Sequence, residues 1–79
     1  MQIEVTVFAT LRKYLPDLPV GGSKYLEVDP GATLADLMQM LGLPPEEVKI
    51  AIRNHVQTEL DEIVKDGDRI AFAPAIAGG

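Results

Sequence analysis

Between Thr33 and Gly42 the chain carries one well-bounded helical stripe, and most of what surrounds it alternates. Leu34, Leu37, Met38 and Leu41 recur at helical spacing, which makes one face apolar. Thr33 stands where an N-cap belongs, and Asp36 follows three residues later, as in a capping box with Asp in place of the usual Glu or Gln. Gly42 occupies the position of a left-handed C-terminal cap. With only 79 residues and one such helix, the chain must build the rest of its core from strands.

Those strands are legible as period-two patterns. Residues 2–9, QIEVTVFA, send Ile3, Val5 and Val7 one way and Glu4, Thr6 and Phe8 the other. Residues 10–15 break the pattern and space Leu11 and Leu15 four apart, a short helix that Thr10 would cap. Pro16, Pro19 and Gly21-Gly22 then make a loop. Residues 24–29 alternate again, with Tyr25, Glu27 and Asp29 opposite Leu26 and Val28, and Asp29-Pro30-Gly31 turns the chain. Pro44-Pro45-Glu46-Glu47-Val48 reads as one turn of helix. Residues 49–54 form a strand with Ile50 and Ile52 assigned to the core, followed by a tight turn at Asn54-His55. Residues 62–64 read as a short extended piece or a turn, Asp66-Gly67-Asp68 as a turn, and 69–73 as a last strand that buries Ile70 and Phe72. The expectation is an α+β domain over residues 1–73, a mixed sheet covered on one face by one main helix, with a separate tail over 74–79. Of the two methionines in the helix, Met38 belongs to the core and Met40 to its rim.

Composition excludes several kinds of function. The net charge of −5 argues against sequence-independent nucleic-acid binding, which needs a basic surface, and favours a protein partner with a basic docking surface. No cysteine is present, so disulfides and a cysteine nucleophile are excluded. No apolar run approaches a membrane span and the start lacks the pattern of a secretory leader, so the expected setting is soluble and cytoplasmic. His55 is alone in a turn, and Ser23 has no base near it in sequence, so neither forms a catalytic constellation. Glu59, Asp61, Glu62, Asp66 and Asp68 do not follow the spacing of a calcium loop, and no metal site is expected. Gly21-Gly22 belongs to no phosphate-binding motif.

The tail is the segment suited to chemistry. Pro74 ends strand pairing because it has no N–H, and Ala75-Ile76-Ala77-Gly78-Gly79 narrows to two residues without side chains. Such an arm can thread a narrow channel and present an ionised α-carboxylate to an ATP site on a second protein. Attack on the α-phosphate would give an acyl-adenylate, a good acceptor for sulfur. Beside this tail strand, Phe8 is placed either on the open sheet face with Ala71 and Ala73, as an anchor for a partner, or under the following helix against Leu11. Arg12 and Arg69 are expected to pair with local acids.

Three segments in register resemble the ubiquitin-like sulfur carriers, most closely the small subunits of molybdopterin synthase (MoaD), with the thiamin sulfur carriers (ThiS) second. They are Val7-Phe8-Ala9-Thr10-Leu11-Arg12, similar to the family's F-A-x-L-R start; Lys65 to Phe72, similar to its D-G-D turn and last strand; and the tail from Pro74 to Gly79. The resemblance implies a β-grasp (ubiquitin-like) fold. It implies that Gly79 is adenylated by an activating enzyme that uses ATP and is then converted to a thiocarboxylate, with Gly78, Ala77, Ile76 and Pro74 serving as the arm. The implied partners are that enzyme and the synthase large subunit, or a thiazole synthase. The carrier is then the sulfur-bearing subunit of a two-protein enzyme, not catalytic alone and with no cofactor of its own. Carriers for thiamin or cysteine synthesis and protein modifiers share this plan. Two positions depart from the pattern: Ala75 replaces a second proline, and the third strand ends in Asn54-His55 where Asn-Gly is common.

Overall fold

The computed structural model describes residues 1–19 and 21–75. Strands β1 (Gln2–Val7), β2 (Lys24–Glu27), β3 (Ile50–Arg53), β4 (Val56–Thr58) and β5 (Arg69–Ala73) form one sheet in the order β2-β1-β5-β3-β4. Helix α1 (Leu34–Leu41) and two 3-10 helices, Ala9–Tyr14 and Pro45–Glu47, complete the described elements. The central pair, β1 and β5, is parallel, with Val5 opposite Ile70 and Val7 opposite Phe72. All other strand pairs are antiparallel. The expected mixed sheet with one covering helix is therefore observed.

The core lies between one sheet face and α1. Ile3, Val5, Val7, Ile70 and Phe72 supply the sheet side, and Leu34, Leu37, Met38 and Leu41 the helix side. Each side chain of this size contributes about 1.5–3 kcal/mol when fully removed from water. Leu11, Leu43, Val48 and Val64 join the same cluster from outside the main elements. Met40 lies on the exposed rim.

Helix α1 is closed at both ends. Asp36 N–H donates to Thr33 Oγ1 (3.2 Å) and Thr33 N–H to Asp36 Oδ2 (2.9 Å), a complete capping box. The Leu34 and Ala35 amides donate to Glu62 and Leu60 carbonyls at 3.1 and 2.9 Å, so the 60–63 segment seals the helix start. Gly42 takes φ 72°, the left-handed conformation a C-cap requires, and its N–H returns to the last turn. Thr33 and Ile63 form an isolated bridge, which is the short extended piece expected at 62–64.

Three expectations are corrected. Ile50 and Ile52 do not face the core; Ala51 does, opposite Phe72 in the register. Phe72 fills the inner layer at that point, leaving room for a small side chain, and both isoleucines turn to the other face. The 10–15 helix is a 3-10 helix with i→i−3 bonds, Leu11 N–H to Phe8 O and Leu15 N–H to Arg12 O, and Thr10 lies inside it instead of capping it. A strand the sequence reading lacked, β4, pairs with β3 through the Asn54-His55 turn.

Candidate partner face and carrier tail

Among the described residues no helix packs on the sheet face away from α1, and the register orders it in rows. Tyr25, Glu4 and Arg69 form one row, Thr6, Ala71, Ile52 and Gln57 the next, and Ala73 with Ile50 the third. Phe8 follows β1 directly, its N–H donating to Phe72 O at 3.0 Å, and the residue is 45% exposed. Of the two placements for Phe8, the open face is the one adopted, while Leu11 alone goes into the core. Because β1 and β5 run parallel, Phe8 and Pro74 lie at the same end of the sheet. Phe8, Ala71, Ala73, Ile50 and Ile52 thus make an apolar end beside the start of the tail. The two isoleucines were the residues sequence reasoning missed here. Alternation put them on one face correctly, but nothing local says which face a strand buries.

The opposite end of the face is polar and internally satisfied. Glu4 accepts from the Ser23 hydroxyl at 2.6 Å and faces Arg69 Nε at 3.6 Å. The expected local pairing of Arg69 is therefore present. The Thr6 hydroxyl donates to Gly22 O at 2.6 Å, tying the loop after the first 3-10 helix to the face. Ser23 is thus a structural donor to the Glu4 carboxylate.

Beneath the rim, Asp68 holds the launch of β5. Its side chain is 9% exposed and accepts from Lys65 N–H (2.8 Å) and Asn54 Nδ2 (2.9 Å), with Arg53 Nε at 3.6 Å. Asn54 Oδ1 in turn accepts from Arg69 N–H at 2.9 Å. The D-G-D turn and the β3–β4 turn are thereby locked to one another. On the other side of the molecule, the Tyr14 hydroxyl donates to the Glu47 carboxylate, joining the two 3-10 helices, with Lys13 Nζ 3.6 Å from Glu47. That hydrogen bond is the main reason the Tyr14 phenol titrates above its ordinary value of 10.0; desolvation and the negative charge of Glu47 add to it.

Pro74 is half-buried and Ala75 exposed, both outside the ladder. Ile76, Ala77, Gly78 and Gly79, the arm and carrier residue of the sequence reading, lie outside the described residues. Among the described residues no His, Asp or Glu side chains group in threes to hold a metal ion, and no helix is long and apolar enough to cross a membrane.

Known proteins share both the sequence pattern and the fold. Residues 5–79 match the model of the ThiS family. No curated protein sequence matches the chain. Among solved structures, the Haloferax volcanii HVO 2177 protein superposes with a TM-score of 0.77 at 28% identity, over 100% of this chain and 87% of that one. Small archaeal modifier protein 1 of the same organism gives 0.74 at 21%, over 95% and 98%. Subunit 1 or 2 of the Helicobacter pylori molybdopterin-converting factor, solved as a complex of the two, gives 0.65 at 20%, over the whole of both chains. At identities this low the second and third likenesses speak for the fold, while the family match covers nearly the whole chain. The chain belongs to the ThiS family of ubiquitin-like sulfur carriers.

Proposed function

We propose that this protein carries sulfur on its terminal carboxylate, as the small subunit of a molybdopterin synthase. Gly79 would bear the reacting group, at the end of an arm formed by Pro74, Ala75, Ile76, Ala77 and Gly78. A carboxylate oxygen of Gly79 attacks the α-phosphate of ATP held by an adenylating partner, and pyrophosphate leaves. Hydrosulfide from a sulfur donor then attacks the acyl carbon, AMP leaves, and a thiocarboxylate and a proton remain. The partner supplies the ATP site and the catalysis; this chain supplies the acyl group and the surface that delivers it.

One observation carries the reading: the parallel β1–β5 pairing puts the start of the tail beside an open apolar patch of Phe8, Ile50, Ile52, Ala71 and Ala73. A carrier needs that combination, because the patch docks the domain while the arm reaches a distant site. The choice of a molybdopterin synthase large subunit over a thiazole synthase as acceptor rests on the F-A-x-L-R start and agrees with the solved subunit complex from Helicobacter pylori.

The test is to incubate the protein with its cognate adenylating enzyme, ATP and sulfide, then measure intact mass. The expected gain equals the exchange of one oxygen for sulfur, located at Gly79 and absent after deletion of Gly78-Gly79. An unchanged mass refutes the carrier reading. Isopeptide-linked adducts through Gly79 would replace it with a modifier reading.

A further inference from the structure

The β3–β4 hairpin turns on two residues, Asn54 and His55, with φ of 51° and 72°. This is the geometry of a two-residue turn whose second position favours glycine, because a Cβ there crowds the backbone. Asn54 earns its place through Asp68 and the Arg69 amide. His55 does not: among the described residues no hydrogen bond or ion pair involves its imidazole. The turn therefore holds a strained residue that contributes nothing to the turn itself.

His55 instead lines a groove of about 260 Å³ on the open face, with Thr6, Phe8, Gly21, Ile52, Arg69 and Ala71. Phe8, Ile52 and Ala71 make it apolar. The chain carries a net charge of −5, yet no acidic side chain lines this groove. Its nitrogen donors are His55 and Arg69; Glu4 pairs with Arg69 at Nε, and the Arg69 side chain remains 58% exposed, with its two terminal nitrogens as further donors. An apolar lining that also holds two nitrogen donors suits a carboxylate carried next to an apolar side chain.

We infer that His55 is a specificity residue of the partner face, and that with Arg69 it receives a carboxylate of the adenylating partner while Phe8, Ile52 and Ala71 take the apolar neighbour. This rests on the sulfur-carrier reading. It departs from the expectation drawn from net charge, since the groove proposed to dock is lined by no acidic side chain.

H55G removes the imidazole and suits the backbone better, so it is expected to melt at or above the wild-type temperature; misfolding then cannot account for lost binding. H55N keeps a donor and tolerates the same φ. ATP–pyrophosphate exchange by the cognate adenylating enzyme is measured against the concentration of the full-length carrier. Loss of a hydrogen bond to a charged group predicts a KM for H55G raised about 10- to 100-fold, with kcat little changed and H55N intermediate. A KM for H55G within twofold of wild type, by the same measure, overturns the role of His55 and leaves the carrier reading standing. Absence of exchange with the wild-type carrier overturns both.

Discussion

Replacement of Asp68 by asparagine tests how the tail strand is held. The carboxylate offers one oxygen to Asn54 Nδ2 and the other to the Lys65 amide, and Arg53 lies against the second. An amide has a single acceptor oxygen, and its NH2 group is a donor. Whichever way it turns in D68N, a donor meets a donor on one side. The loss is one charge-assisted hydrogen bond, about 1.5–3 kcal/mol, plus up to about 1 kcal/mol for the partly exposed Arg53 pair. We expect about 3 kcal/mol in all, against a total of roughly 4–12 kcal/mol for a chain of this size. In a domain of this length that lowers Tm by roughly 12–24 °C, read by far-UV circular dichroism and cross-checked by urea titration. D66N is the control: among the described residues Asp66 Oδ1 accepts only the exposed Gln2 amide, at 2.8 Å, and asparagine keeps that acceptor. A D68N variant within about 0.5 kcal/mol of wild type would refute the argument that this carboxylate bridges the Asn54 and Lys65 donors.

Three further outcomes are expected. F72A, in the core, should cost about 3–5 kcal/mol by urea denaturation, while I52A, on the open face, should cost about 1 kcal/mol or less; equal losses would contradict the strand phase. G42A places a Cβ at φ 72° in otherwise open space, so its cost of about 1 kcal/mol should come from backbone strain alone, and G42N should recover part of it. In a Y25F background the phenol of Tyr14 should titrate above pH 10.0 by ultraviolet absorbance, and E47Q should lower the midpoint. Because the folded value is raised, the stability this contact contributes is full below the unfolded pKa and is lost as pH rises through the folded one; a midpoint unmoved by E47Q would sink the assignment.

Strong local signals carried most of the fold. The α1 boundaries follow from Thr33, Asp36 and Gly42, and three of the strands from alternation bounded by turn residues. What failed did so for nonlocal reasons. The Ile-Ala-Ile run of β3 states its period but not its phase, and the phase is decided by Phe72, about twenty residues on, which occupies the core layer above Ala51. β4 has only three residues and exists because β3 offers it an edge. The first helix tightened to 3-10 geometry because the chain enters it through Ala9 at φ 55° with no side-chain cap. Phe8 and Ala71 were legible as candidate face residues, since polar alternation marks the outer side. Locally His55 reads as a turn residue: its contribution to a groove depends on Thr6, Phe8 and Arg69, which sequence spacing does not bring together.

The parallel pairing of β1 with β5 also sets when the molecule can form. The second residue of the chain is tied to the turn before β5, since the Gly67 amide donates to Gln2 O and the Glu4 amide to Asp68 O. The middle of the sheet is absent until residues 69–73 have been synthesised and freed, and with it Ile70 and Phe72. A nascent chain stopped before that point has a first strand with an open edge and a helix with half a core, so it cannot close the domain. Synthesis and folding are thus coupled in order: a folded partner face exists only on chains whose translation has already passed the strand that leads into the tail.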